Sequence, residues 1–278
     1  MSQYLFNAAI KGFIEGFTEF LPISSTGHLV LFRQFFPLTS DPARVQELDN
    51  VFDIIIQLPA ILAIVILYWK RLWGSASTVF EHQESRRFWM NVIAAFLPAA
   101  VFGFAFKDHL DLLMRPDVVA AALVIGGIIL LLIERIVKAE FVERAEQVTF
   151  RQSLSIGFFQ CLSMIPGTSR SGATIVGGRV LGLNRTAAAE FSFFLALPTM
   201  LGAFTLKALK EYPRIQWASD GPVLLVGSVA SFLTAWVVVA LFIRFLKQNS
   251  LSIFGWYRII LGALILFFLR FGNLQPGL

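Results

Sequence analysis

The chain runs to 278 residues, 56% of them hydrophobic and 15% charged, with a mean hydropathy of +0.71. A soluble domain carries about 25% charged residues, so this composition excludes an ordinary water-soluble fold. The net charge of +5 is accounted for by loop Lys and Arg that set topology and meet membrane lipid headgroups, and no nucleic-acid partner is expected.

In chain order, the opening MSQYLFNAAIKGF lacks the basic start and long apolar run of a cleaved signal peptide. Residues 10–36 are apolar at both ends but polar in the middle, where Pro22 and Gly27 break the pattern. Apolar runs near the roughly 20 residues needed to span a bilayer follow at about 51–69, 88–107 and 117–137. Residues 153–180 repeat the broken pattern around Pro166, and three further spans cover about 186–210, 221–246 and 251–270. The single cysteine, Cys161, permits neither a disulfide nor a multi-cysteine metal site and reads as a small packing residue. Polar, irregular backbone at membrane depth is tolerated only when it is buried in protein or lines a cavity. Both broken segments therefore read as re-entrant helix–loop–helix hairpins. The expected fold is an all-α polytopic membrane protein, one domain over 1–278, with six transmembrane helices and two re-entrant hairpins meeting near the midplane.

The two halves resemble each other. FLPISSTGHL (Phe20–Leu29) echoes MIPGTSRSGA (Met164–Ala173) around Pro22 and Pro166. FDIIIQLPAIL (Phe52–Leu62) echoes FSFFLALPTML (Phe191–Leu201) around Pro59 and Pro198. Repeats of about 1–137 and 138–278 each contain a hairpin and three spans, and an odd number of spans makes the halves inverted. Inverted repeats with broken helices are a transporter architecture, so movement of a lipid phosphate stands as the alternative function. Basic residues gather in 70–87 (Lys70, Arg71, Arg86, Arg87) and 138–185 (Lys138, Arg144, Arg151, Arg179, Arg185). The 107–117 loop mixes Lys107, Asp108, Asp111, Arg115 and Asp117. Basic loops stay cytoplasmic, which places both termini outside, the first hairpin opening outward and the second inward.

The chemistry is concentrated in the hairpins. Glu15 and Glu19 share one helical face, which Lys11 extends by a turn. Lys11 and Glu15 could pair, whereas Glu19 lies deep in the hairpin, where ionisable groups are expensive and functional. Paired carboxylates suit Mg²⁺ or Ca²⁺, and one of them could instead act as a general base. Ser24, Ser25 and Thr26 open the next helix, whose N-terminus is a ready phosphate site; Ser24 is the natural N-cap. His28 lies three residues after Ser25, on the same face, and could deprotonate it or protonate a leaving group. In PGTSRSGAT (Pro166–Thr174), Arg170 offers a donor fork matched to phosphate oxygens, among Ser169, Ser171 and Thr174. Pairing of Arg170 with a hairpin glutamate is the structural alternative. Asp53, Gln57 and Arg258 rank behind these as supporting polar residues.

EGFTEFLPISSTGH (Glu15–His28) and PGTSRSGAT resemble the two long motifs of the BacA-type undecaprenyl-diphosphate phosphatases, a bacterial family linked to bacitracin resistance. The likeness extends from the first helix to the last span. It implies removal of the terminal phosphate from undecaprenyl diphosphate, giving the lipid carrier for cell-wall glycan. A divalent cation, Mg²⁺ or Ca²⁺, and an inner-membrane site reached from the outer side are also implied. The resemblance carries over Glu15 and Glu19 as acidic, metal-binding residues, Ser25 and His28 from the hydroxyl run, and Arg170 from the second motif. Ser24, Thr26, Ser169, Ser171 and Thr174 are expected beside the diphosphate. The partners expected are the polyisoprenyl diphosphate and membrane lipids; a homodimer is left open.

Overall fold

A computed structural model describes residues 1–33, 35–138 and 140–271, the side chains of 107–111 excepted. Lys107, Asp108 and Asp111, used above to judge the charge of their loop, therefore lie outside the described side chains. Twelve α-helices are described. The first two are α1 (Ser2–Thr18) and α2 (Ser25–Phe32), joined by the turn that carries Pro22. Next come α3 (Val45–Ile55) and α4 (Gln57–Leu67), which form one path long enough to cross a bilayer. Their junction at Ile56 has a physical cause. Pro59 has no N–H and crowds the carbonyl four residues back, which interrupts the helix there. At the junction Ser231 Oγ donates to the Ile56 carbonyl at 2.8 Å.

A short α5 (Trp69–Ser77) leads to α6 (Gln83–Leu110) and α7 (Pro116–Ile136). Pro116 at the first position and Asp117 in the first turn start α7 in the way helix termini favour. The second half holds α8 (Phe150–Cys161), α9 (Arg170–Val180), α10 (Arg185–Glu211), α11 (Trp217–Leu246) and α12 (Ser252–Phe271). A reciprocal capping box of Thr149 and Gln152 opens α8, and Asn184 caps α10 by accepting from Ala187 N at 2.7 Å. Six paths are long and apolar enough to span a membrane: Val45–Leu67, Gln83–Phe106, Pro116–Ile136, Arg185–Arg214, Trp217–Leu246 and Ser252–Phe271. They fall on the six expected spans, and the chain is an all-α, multi-pass membrane protein.

Packing is reciprocal between the halves. Helix α1 lies along α11, α8 lies along α6, and α7 lies along α12. Small residues permit the approach, as expected where lipid supplies no hydrophobic drive between helices. A Cβ at Gly12 would fall 2.2 Å from the Gly227 carbonyl oxygen, and one at Gly157 would fall 2.5 Å from that of Ala95. The α3–α4 path and α10 run antiparallel, since the end of each meets the start of the other. At one end Arg71 pairs with Glu190 at 2.8 Å, and at the other Arg214 approaches Glu47 at 3.8 Å. Between them lies the main apolar core, where Phe20 of the first turn meets Phe193 edge-on at 5.6 Å.

Candidate active site

Two helices begin on one small cavity. It has a volume of about 150 Å³ and is lined by Ser24, Ser25 and Thr26 from the start of α2 and by Ser169 and Arg170 from the start of α9. Glu19, Gln57, Ser163 and Met200 complete most of the wall. Both helices start the same way. Ser24 and Ser169 hold φ of 72° and 73°, a conformation that L-residues with side chains rarely adopt, and such strain concentrates at functional sites. Each caps its helix: Ser24 Oγ accepts from Gly27 N at 3.3 Å, and Ser169 Oγ from Gly172 N at 3.0 Å. The first N–H groups of each helix have no partner within the helix, and those starts line the cavity.

This pairing revises the register read from the prolines. Pro22 stands two residues before its cap and Pro166 three before its own. Counted from the caps, Ser24 matches Ser169 and Ser25 matches Arg170, rather than Ser24 matching Thr168. The nucleophile candidate and the phosphate-binding candidate are the first residues of α2 and α9.

Glu19 joins them. Ser25 Oγ donates to Glu19 Oε2 at 2.5 Å, and Arg170 Nη2 donates to Glu19 Oε1 at 2.8 Å. Arg170 also donates from Nη1 to the Ser192 carbonyl at 3.1 Å, and its guanidinium stands 5.7 Å from the centre of the Phe20 ring. Its buried Nε has no protein partner. Glu15 is fully buried on α1, and neither of its carboxylate oxygens has a partner. The Lys11–Glu15 pair considered from sequence does not form. Lys11 donates instead to Asp49 at 2.5 Å in a fully enclosed ion pair, and Asp53 takes Arg33 at 2.6 Å.

Other expected residues are turned elsewhere. His28 is not hydrogen-bonded to Ser25: Nδ1 meets the Ser24 carbonyl at 2.7 Å and Nε2 meets the Tyr257 hydroxyl at 2.6 Å. A carbonyl only accepts, so Nδ1 carries the proton and Nε2 accepts from Tyr257. Ser171, one residue and so about 100° beyond Arg170, faces away from the cavity and donates to the Leu21 carbonyl at 2.8 Å. Thr174 donates to Ser192 Oγ at 2.7 Å. Both tie the second hairpin to its neighbours and lie off the cavity wall. Sequence reasoning did not single out Ser163, Met200 or Tyr257; Ser163 alone carried a signal, a hydroxyl just before Pro166.

The fold and this site define a polytopic α-helical membrane protein with a small pocket of carboxylate, hydroxyl and guanidinium groups. The family model described as "Bacitracin resistance protein BacA" matches residues 8–264, and the chain belongs to that family. It is 46% identical to "Undecaprenyl-diphosphatase 3" of Acinetobacter baylyi, over 94% of this chain and 97% of that protein. Identity is 44% to "Undecaprenyl-diphosphatase" of Ectopseudomonas mendocina, over 94% of this chain and 92% of the relative. "Undecaprenyl-diphosphatase 1" of Clostridioides difficile is 42% identical over 94% of this chain and 95% of its own length.

Proposed function

We propose that the chain hydrolyses undecaprenyl diphosphate to undecaprenyl phosphate and inorganic phosphate. This renews the lipid carrier of cell-wall glycan and confers bacitracin resistance. The observation that carries the reading is the meeting of two helix starts over one cavity, with Ser25 on a carboxylate and Arg170 on the wall beside it.

In the proposed first step Ser25 Oγ attacks the terminal phosphorus, its proton passing to Glu19 Oε2 along the existing hydrogen bond. The bond from phosphorus to the bridging oxygen breaks, and the electron pair leaves on the lipid monophosphate. Water then displaces the serine oxygen, which takes the proton back from Glu19. Arg170 meets the negative charge on the phosphoryl oxygens, the kind of electrostatic preorganisation on which phosphoryl transfer depends. His28, tied to Ser24 and Tyr257, holds the turn from which Ser25 projects.

Glu15 and Glu19 are suited to Mg²⁺ or Ca²⁺, because the enclosed Glu15 oxygens have no protein partner. Among the described residues no group of three or more His, Cys, Asp or Glu could hold a metal ion. Two carboxylates suit a hard cation that takes its other ligands from water and phosphate. When bound, it would neutralise diphosphate charge. Detergent-solubilised protein should release phosphate from long-chain isoprenyl diphosphate, and EDTA should stop it. Protein that moves the lipid in liposomes without releasing phosphate would overturn the reading. Glu15→Gln should raise the Mg²⁺ concentration needed for half-maximal rate, whereas added metal should not restore Glu19→Gln. Matching titrations for both variants and the parent would remove the two carboxylates from metal binding.

The basic end defined by Arg71, Arg179 and Arg185 is assigned to the cytoplasm of a bacterial inner membrane, with the active site reached from the outer side. The antiparallel course of the α3–α4 path and α10 supports two inverted halves. In a Cys161→Ala background, an impermeant thiol reagent should label Ser2→Cys in intact cells and spare Arg86→Cys. The opposite pattern would reverse the orientation.

A further inference from the structure

Arg258 of α12 is 1% exposed, and among the described residues no carboxylate pairs with it. Its donors go to four main-chain carbonyls from three segments. Nε reaches Leu123 at 3.4 Å and Nη2 reaches Ala122 at 3.1 Å, both on α7. Nη1 reaches Pro22 in the first hairpin turn, and Nη2 reaches Gly167 in the second, each at 3.1 Å. Two glycines leave the space it occupies. A Cβ at Gly126 would stand 2.1 Å from Nη2, and one at Gly172 would stand 2.9 Å from Nη1. Gly167 itself holds φ of 92°, which aims its carbonyl in a way that a residue with a side chain would resist.

A buried cation without a counter-ion is costly, so contribution to stability is a poor explanation for it. Its contacts suggest another role. Pro22 lies two residues before Ser24, Gly167 two before Ser169, and one planar guanidinium joins both turns. We propose that Arg258 is a positioning residue: by bridging Pro22 and Gly167 it sets the separation of the hairpin turns, so that Ser25 and Arg170 address the same phosphate. This rests on the active-site reading above. Arg258 does not line the cavity and would act without touching substrate.

The test compares Arg258→Lys, Arg258→Gln and Gly126→Ala for kcat, KM and melting temperature in detergent. A lysine keeps the charge but has no planar fork to span both carbonyls. Both Arg258 variants should lose about a hundredfold in kcat, the scale of an ångström's misplacement of reacting groups. KM should change by less than about threefold, and the melting temperature by a few degrees at most. Gly126→Ala, which displaces the guanidinium, should reproduce the loss and add little to Arg258→Lys, as expected of residues acting through one contact. A Lys variant with parental kcat would overturn the proposal in favour of charge alone. A kcat loss that follows melting temperature in all three variants would reduce Arg258 to a structural role. Ser25→Ala and Arg170→Lys measured alongside separate the two levels: if they also turn over normally, the active-site reading fails, not only the positioning.

Discussion

Arg170→Lys should lose about a hundredfold or more in turnover while the protein stays folded, a barrier increase of about 3 kcal/mol. A lysine at 170 can still pair with Glu19, which Arg170 now contacts at 2.8 Å, so the electrostatic tie between the hairpins is retained. What it lacks is the rigid planar spread of donors that reaches Glu19 and the Ser192 carbonyl together at the cavity wall. The guanidinium makes both contacts now, and its Nε remains unpartnered. An ammonium is a point charge on a flexible stem, so the loss is one of geometry rather than of charge. Phosphate release by the purified variant, set against an unchanged melting curve, checks this. Near-parental turnover would leave Arg170 as a strut between hairpins.

The spans were legible because bilayer length and apolarity are local properties, and the ends expected for most of them lie within a few residues of those observed. The span expected at about 51–69 begins at Val45, and the stretch of α3 ahead of residue 51 carries Asp49 and Asn50. Those two residues read as polar loop, yet Lys11 of α1 and Arg33 at the end of α2 satisfy them. Glu15 and Glu19, the hydroxyl run and Arg170 were legible as costly groups placed where an apolar chain should not carry them. Partnership across the chain was legible only in part: pairing of Arg170 with a hairpin glutamate was anticipated, and Glu19 takes it at 2.8 Å. Spacing puts His28 on the face of Ser25, but its ring is claimed by Tyr257, 229 residues away. The extra residue before the second cap hid the match of Ser25 to Arg170, because prolines are conspicuous and φ is not. Arg258 drew notice as a charge in a span, but a bridge between carbonyls leaves no mark in side-chain pattern.

Ser25→Ala should fall to background, and the reason separates it from the hydroxyls beside it. Ser24 is committed to capping α2 at a strained φ of 72°, so Ser24→Ala should lose a cap worth about 1 kcal/mol. That predicts a lower melting temperature with measurable turnover, not extinction. Thr26 lies about 100° further round the helix, and no hydrogen bond joins its hydroxyl to Glu19; its alanine variant should keep measurable turnover. Ser25 alone among the three donates to a carboxylate, at 2.5 Å, and that contact is the proton path that a weak oxygen nucleophile requires. The rival is water attacking directly with Ser25 as a phosphate ligand, and alanine substitution alone does not separate these. Rapid quenching of parental enzyme with substrate labelled in its terminal phosphate does. Label should appear on Ser25 within the first turnover and chase into inorganic phosphate. Absence of label with a dead Ser25→Ala variant would make water the attacker, with Glu19 as its base. A folded Ser25→Ala enzyme with substantial turnover would remove Ser25 from the chemistry altogether.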